Sequence, residues 1–192
     1  DASVETAITT FRKGSYLGKT KIINKESKLS FDFNVLKTLT EDHKYLININ
    51  ENSTGILLKL NKVEKLEKIA KVWRGLTTGN DSKYLTIQKL NDEYKPIITG
   101  SEVHRYLMFP NEKFVHYLPE ELDRPRDERI FLLDEKLISK FVGAKLTFCF
   151  DNEKKYVLNS ACSLEVLDSE VSLKYLLCIL NSNLLDHYFQ LV

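Results

Sequence analysis

A mixed α/β fold (α+β), with small twisted sheets and flanking helices, is predicted by three features of this 192-residue chain. Short runs rich in Val, Ile, Thr and aromatic residues recur between turn formers, at 19–24, 94–100, 114–118 and 144–150. Between Gly55 and Ala70 the apolar residues change to a spacing of three and four, the period of an amphipathic helix. Residues 172–192 form the most apolar helical run. A hydrophobic fraction of 43% is enough for a core, and seven Gly and four Pro mark neither disorder nor low complexity. The length fits one or two domains, and the change of pattern near Gly55 divides the chain into 1–55 and 56–192.

Taken in order, 4–11 has strand composition and 19–24 is a second short strand, so the two are expected to form a hairpin. Residues 31–36 fit a short strand or a docking segment, and Thr40 with Glu41 and Asp42 can cap a helix. Residues 50–55 read as a loop. The helix that follows is expected to start near Asn61, and its lysine-rich face either meets phosphates or is simply solvated. Pro96 forces extended backbone before it, Gly100 breaks the run, and Ser101 is placed to cap a short turn. Residues 119–129, with two prolines and dense charge, read as a surface loop or a short polar helix. The spacing of Ile130, Leu133, Leu137, Ile138 and Phe141 predicts a helix over 128–140. Residues 144–150 and 155–158, around a turn at 151–154, predict a hairpin, and 162–166 a further strand. Asn181-Ser-Asn183 can interrupt the last helix.

Cys149, Cys162 and Cys178 lie far apart in apolar surroundings, without metal-ligand spacing, which points to buried free thiols in a reducing, cytoplasmic setting. The apolar runs are too short to span a bilayer, so no membrane partner is expected. Both ends read as cut from a longer protein. The net charge is +1, so any electrostatic footprint for nucleic acid has to come from local segregation of charge.

Such segregation occurs around two turns. In Ile69-Ala-Lys-Val-Trp-Arg-Gly-Leu-Thr-Thr-Gly-Asn80 a strand-like run enters a loop where Gly75 and Gly79 permit positive φ. Thr77, Thr78 and Asn80 crowd polar groups beside exposed backbone, with Lys71 and Arg74 upstream and Lys83 and Tyr84 downstream. The loop can grip phosphates and read base edges, or be a polar hairpin turn. Trp73 is either a rim aromatic or a base-stacking group. The second turn, at Gly100, is followed by His104 and Arg105, and arginine suits bidentate contact to phosphate or guanine. If the two turns are neighbours in space, Lys71, Arg74, Lys83, Lys95 and Arg105 form one positive patch.

No catalytic set is evident. There is no Gly-x-Gly fingerprint, no phosphate loop ending in Gly-Lys-Ser/Thr, no Asn-Pro-Pro-Tyr-type base pocket and no zinc spacing among His43, His104, His116 and His187. Asp134-Glu-Lys136 has the residue types of a nuclease metal site but falls in the helical pattern.

The two glycine turns carry a family resemblance. Val72-Trp-Arg-Gly-Leu-Thr-Thr-Gly-Asn80 resembles the Gly-Ile-x-Thr-Gly-x-Asn segment in the C-terminal target-recognition domain of adenine-specific restriction–modification methyltransferases. In this chain Asn80 directly follows Gly79, and Asp81 occupies the family's asparagine position. Lys95-Pro-Ile-Ile-Thr-Gly-Ser-Glu-Val-His-Arg-Tyr106 is similar to the family's Lys-Pro-Leu-Leu-Arg-Gly-Lys-Asp-Ile-Lys-Arg-Tyr, with Thr99 and Ser101 in places that are often basic. Lys145-Leu-Thr-Phe148 resembles the strand after the family's charged helix, and Leu180-Asn-Ser182 its Leu-Leu-Asn-Ser helix. The resemblance covers about residues 60–190.

It implies a non-catalytic module that recognises double-stranded DNA. Lys71, Arg74, Thr77, Thr78, Asn80, Lys83, His104 and Arg105 would make contacts, and Gly75, Gly79, Pro96 and Gly100 would shape the turns. Residues 4–13 resemble the last core strand of the methyltransferase domain, making 1–55 its edge and a connector. S-adenosylmethionine, and Mg2+ if the parent also cleaves DNA, would belong to domains upstream. The alternatives are a protein-interaction module or a specificity subunit of a multi-subunit restriction system and, less favoured, a small hydrolase or nuclease.

Overall fold

The computed structural model describes residues 19–23, 28–32 and 51–191. The chain divides into two units, 1–61 and 62–192. In the first, β1 (Lys19–Ile23) pairs antiparallel with β2 (Lys28–Asp32), with Lys19 opposite Asp32 and Ile23 opposite Lys28. The expected strand at 4–11 and cap at Thr40 lie outside the described residues, as does all but Phe31 and Asp32 of the segment expected at 31–36 to be a short strand or a docking segment; those two residues end β2. Helix α1 (Glu51–Leu60) takes the place of the loop expected at 50–55. The helical period holds for Ile56, Leu57 and Leu60, but the helix ends at Leu60, near its expected start, and the rest of the expected helix is a 3-10 turn at Leu66–Lys68 followed by a strand from Ala70. The expected boundary at 55/56 therefore falls inside a hydrogen-bonded helix, and the division lies at its end.

The second unit is built on two four-stranded sheets. One has the antiparallel order β3 (Ala70–Arg74), β10 (Ala161–Val166), β7 (Lys136–Lys140), β8 (Phe148–Asp151). The other has the order β4 (Leu85–Thr86), β6 (Phe114–His116), β5 (Tyr94–Ile98), β9 (Tyr156–Val157), and β9 runs parallel to β5. Pro96 has no N–H to give, and β9 joins β5 only beyond it, at Ile97 and Ile98. Helix α2 (Asp81–Tyr84) is a single turn, while α3 (Leu173–Leu180) and α4 (Asn183–Leu191) are separated at Asn181-Ser182, as the polar interruption predicts.

The inner strands of the first sheet, β10 and β7, are buried on both faces. Ile138, Cys149 and Ala161 face a core shared with Ile97, Ile98, Val115 and Val157 of the second sheet. Leu137, Phe148, Leu164 and Ala70 pack on the other side with Leu176, Leu177 and Leu180 of α3. That explains why 136–140 is a strand and not the expected helix. A central strand covered on both faces loses its apolar–polar alternation, and its short apolar run then matches a helical spacing by coincidence. Only a 3-10 turn, Glu128–Ile130, forms in the preceding segment.

The expected hairpin of 144–150 with 155–158 forms its turn but not its pairing. The Asp151 carboxylate accepts from the backbone N–H of Glu153 and of Lys155, 3.1 Å each, and Lys154 is left-handed at φ 56°. The chain then crosses to the other sheet. Asp151 also faces Lys136 Nζ at 2.5 Å, with both side chains fully buried, and Lys136 donates to the Phe131 carbonyl at 2.7 Å. Burial pulls the Lys136 ammonium below its ordinary value, and the Asp151 carboxylate opposes this. The Asp134-Glu-Lys136 trio is thereby dispersed: Asp134 pairs at the surface with Lys154 at 2.9 Å. Cys149 and Cys162 are buried thiols, as expected, but Cys178 is exposed on α3. Among the described residues, no helix is long and apolar enough to cross a membrane and no group of side chains could hold a metal ion.

Candidate nucleic-acid interface

The two glycine turns meet on one stretch of backbone, residues 157–161. Gly75 donates its N–H to the Ala161 carbonyl at 3.1 Å, and Leu76 donates to Val157 at 2.8 Å. A Cβ on Gly75 would lie 2.2 Å from the Leu158 carbonyl oxygen. On the other side Leu158 donates to Ile98 at 2.9 Å, and Gly100 donates to Ser160 Oγ at 3.0 Å. A Cβ on Gly100 would lie 2.3 Å from the Ser160 carbonyl oxygen. Neither glycine is needed here for φ; each is needed for close backbone approach. Gly79 is the residue that uses positive φ, at 79°.

The cations gathered at this junction are only partly those expected. Arg74 is exposed and lies over the Phe141 ring at 3.8 Å, while Phe141 donates its N–H to the Ser160 carbonyl at 3.0 Å. Arg126, at φ 67°, donates its Nε to the Gly75 carbonyl at 3.3 Å. Burial raises the Cys162 thiol, and the Arg74 and Arg126 guanidiniums both act to lower it, so the two charges share that neighbourhood. Thr77 exchanges backbone hydrogen bonds with Arg124 at 2.9 and 3.0 Å. Lys140 lies on β7 opposite Ala161.

The other expected contact residues have internal partners. Thr78 is buried and its hydroxyl bonds to Asp81. Asn80 caps α2, accepting from Lys83 N at 3.2 Å. Lys83 Nζ meets Glu121 at 2.8 Å and the Tyr84 hydroxyl at 2.7 Å; these bonds raise its pKa and neutralise it locally. Lys71 lies over the Trp73 ring at 3.9 Å. The Trp73 indole donates to Glu165 at 3.0 Å, which makes it a half-buried rim aromatic. Arg129 binds the same carboxylate through both terminal nitrogens, at 2.6 and 3.2 Å. Lys95, at the far end of β5 from Gly100, lines an open depression of about 540 Å³ with Asp92, Glu93 and Glu128. The single patch of Lys71, Arg74, Lys83, Lys95 and Arg105 thus does not form; of these residues only Arg74 lies free at the junction.

Beyond Gly100 the turn is set by Thr99 and Glu102, not by Ser101. The buried Glu102 carboxylate accepts from Thr99 N at 2.6 Å, the Thr99 hydroxyl at 2.7 Å and Asn111 N at 2.7 Å. Between these anchors the chain makes a hairpin tip. His104 and Leu107 exchange backbone hydrogen bonds at 2.9 and 3.3 Å, and Val103 bridges Met108. Tyr106 sits at φ 68°, costly for a bulky L-residue, and its N–H bonds to the Phe148 carbonyl at 2.8 Å. The Arg105 guanidinium bonds to the Asn181 carbonyl, and its Nε is buried without a partner. His104 is exposed, with its ring edge-on to Phe109 at 5.0 Å.

Asn181 explains the Leu-Asn-Ser segment. Its buried amide accepts from Phe148 N at 3.0 Å and donates to Phe148 O at 2.9 Å, imitating a neighbouring strand along β8. Leu180 is in the core, and Ser182 Oγ accepts from Leu185 N at 3.3 Å at the start of α4.

A family model described as TaqI-like C-terminal specificity domain matches residues 95–192, just over half of the chain. The chain belongs to that family. It is a DNA target-recognition module of a restriction–modification system. No curated protein matches it. The match begins in β5, so the Gly75 turn lies outside it, yet β3 and that turn are joined to the matched part of the specificity domain through β10 and residues 157–161. Sequence reasoning missed Arg124, Arg126, Lys140 and Glu102 in this domain. Positions 124–126 lay in an undifferentiated charged stretch, and only the backbone pairing with Thr77 brings them to the site.

Proposed function

We propose that this specificity domain holds duplex DNA against the junction of its two glycine turns, in the service of an adenine-specific methyltransferase. The supporting observation is the meeting of both turns on residues 157–161 with the Arg74 and Arg126 guanidiniums beside Cys162. Guanidiniums in that position suit phosphate oxygens, and polar loop atoms beside them suit base edges. Arg74, Arg124, Arg126 and Lys140 are assigned to phosphates. Thr77, Asn80 and His104 are the candidates for nearby polar contact. Thr78, Lys83 and Arg105 are assigned to holding the loops in shape.

In this reading the parent extrudes one adenine and methylates N6. The first unit, residues 1–61, is assigned to the edge of the methyltransferase domain and its connector. S-adenosylmethionine and the flipped base would be held upstream, as would Mg2+ if the parent also cuts, so no residue of this chain is assigned to them. The buried thiols of Cys149 and Cys162 support a cytoplasmic setting. The test is DNA affinity against salt. Log affinity should fall linearly with log salt, and Arg74→Ala or Arg126→Ala should each flatten the slope by about 0.9. A folded chain whose DNA binding ignores salt would rule the reading out.

A second reading, docking to another subunit, draws on the exposed Tyr175, Leu184 and Phe189 of α3 and α4. Alanine at these positions should leave the salt slope unchanged and abolish any stable association with a catalytic subunit.

A further inference from the structure

We infer that the loop joining β7 to β8, residues 141–145, enters the major groove of the bound duplex, where Val142 reads the 5-methyl group of a thymine. The inference rests on the DNA-binding reading above. Every residue of this loop, Phe141-Val-Gly-Ala-Lys145, is exposed. Val142, at 79%, is the most exposed large apolar side chain among the described residues. A Cβ built on Gly143 would meet nothing closer than 3.5 Å, and the three nearest atoms belong to Lys140 and Lys145 of the same hairpin, so no other segment covers the apex. The base of the loop is held. Lys140 donates its N–H to the Thr147 carbonyl at 3.3 Å, Phe141 donates to the Ser160 carbonyl at 3.0 Å, and Leu146 donates to the Asp186 carboxylate at 2.9 Å. A side chain mounted on a fixed base loses little freedom on binding.

The loop belongs to the junction of the glycine turns. Ser160, which accepts from Phe141 through its carbonyl, accepts from Gly100 through its Oγ, and the exposed Arg74 guanidinium lies 3.8 Å from the centre of the Phe141 ring. Residues 71–80 and 137–150, which supply Arg74 and the loop, contain Lys71, Arg74, Lys140 and Lys145 and no Asp or Glu. The Asp186 carboxylate at the base of the loop is buried and taken up by Leu146. In a DNA target-recognition module, an apolar apex within this cationic setting suits a duplex. The chemistry of Val142 then selects the groove. An isopropyl group makes no hydrogen bond, and the apolar group on a base edge is the thymine 5-methyl, which lies in the major groove. That groove, about 12 Å wide, admits a two-stranded ribbon, whereas the minor groove is about 6 Å wide. Arg74, stacked on Phe141, keeps its N–H edge for a phosphate beside the same step.

The test begins by selecting a tight-binding duplex from a randomised pool with the whole chain. Each thymine of that duplex is then replaced in turn by deoxyuridine, which removes the 5-methyl and keeps the base pair, and affinity is measured across salt. The wild-type chain should lose affinity roughly fourfold at one thymine or more, the worth of one buried methyl group. Val142→Ala, at an exposed position that should keep the fold by circular dichroism, should no longer distinguish thymine from deoxyuridine at one of these positions, with the salt slope unchanged. Salt-dependent binding in which no thymine methyl matters, a selected site without thymine, or a Val142→Ala chain that still discriminates at every such position overturns the role of the loop and leaves the DNA-binding reading standing. Absence of any salt-dependent binding by the folded chain overturns both. A Val142→Ala chain that keeps its DNA discrimination and instead loses a chain dimer or a catalytic subunit would make the loop a protein contact and overturn the inference.

Discussion

At the Gly75 turn the chain leaves β3 among Arg74, Arg124 and Arg126; at the Gly100 turn it leaves β5 into a tip of Tyr106, Leu107 and Phe109. Both turns press on the same backbone, and both glycines exist because a Cβ would strike a carbonyl oxygen, at 2.2 Å in one case and 2.3 Å in the other. Their outer surfaces differ. The first turn presents charge, with Arg126 bound to the Gly75 carbonyl. The second has its charges turned inward, with Glu102 buried under the turn and Arg105 tied to Asn181. One shared foundation therefore supports a turn suited to phosphates and a turn that presents apolar side chains, and substitutions can separate the two.

The largest effect is expected from removing the foundation. Asp151→Ala leaves Lys136 buried without its counter-ion and frees the turn that leads into β9. A loss of about 3–5 kcal/mol is expected, read by urea denaturation, and both turns should loosen together. Next come the glycines. Gly75→Ala and Gly100→Ala should each cost up to about 3 kcal/mol, because the obstacle in each is backbone that cannot swing aside. The double variant should cost less than the sum, since one displacement of 158–160 relieves both clashes. Full additivity would show that the turns do not share a support.

Smaller effects distinguish the outer surfaces. Arg126→Ala should lower DNA affinity by about tenfold at low salt and flatten the salt slope. Leu107→Ala, which removes no charge, should leave that slope unchanged. The smallest effect concerns the far end of β3. The Arg129 hydrogen bond, and then that of Trp73, hold the Glu165 carboxyl below the usual carboxylate value. A depressed folded pKa adds stability above the unfolded value, 4.5, which is lost as pH falls through the folded one. Glu165→Gln should therefore cost about 1 kcal/mol near neutral pH and progressively less in acid. Equal cost at all pH values would remove the carboxylate from the account.

Much of this was legible in the residues. The strands at 19–23, 94–98, 114–116 and 161–166 follow from β-branched and aromatic runs bounded by turns, and the break at Asn181 follows from polar residues in an apolar helix. The helix expected at 128–140 failed because Lys136–Lys140 is buried on both faces, where alternation vanishes. The hairpin of 144–150 with 155–158 failed because local turn chemistry at Asp151 fixes the bend but not which sheet the departing strand joins. At the site, glycines and prolines identified both turns, since backbone constraints are written locally. The cations were not legible: Lys83 is neutralised by Glu121, 38 residues away, and Arg126 arrives from 51 residues beyond Gly75.

Trp73 is the sole tryptophan in the sequence, two positions before Gly75, with its indole nitrogen bound to Glu165. Its emission therefore comes from a single place, the strand that feeds the arginine-bearing turn. The molecule carries its own optical gauge: a colour change on mixing with nucleic acid would track events at that strand without any attached dye.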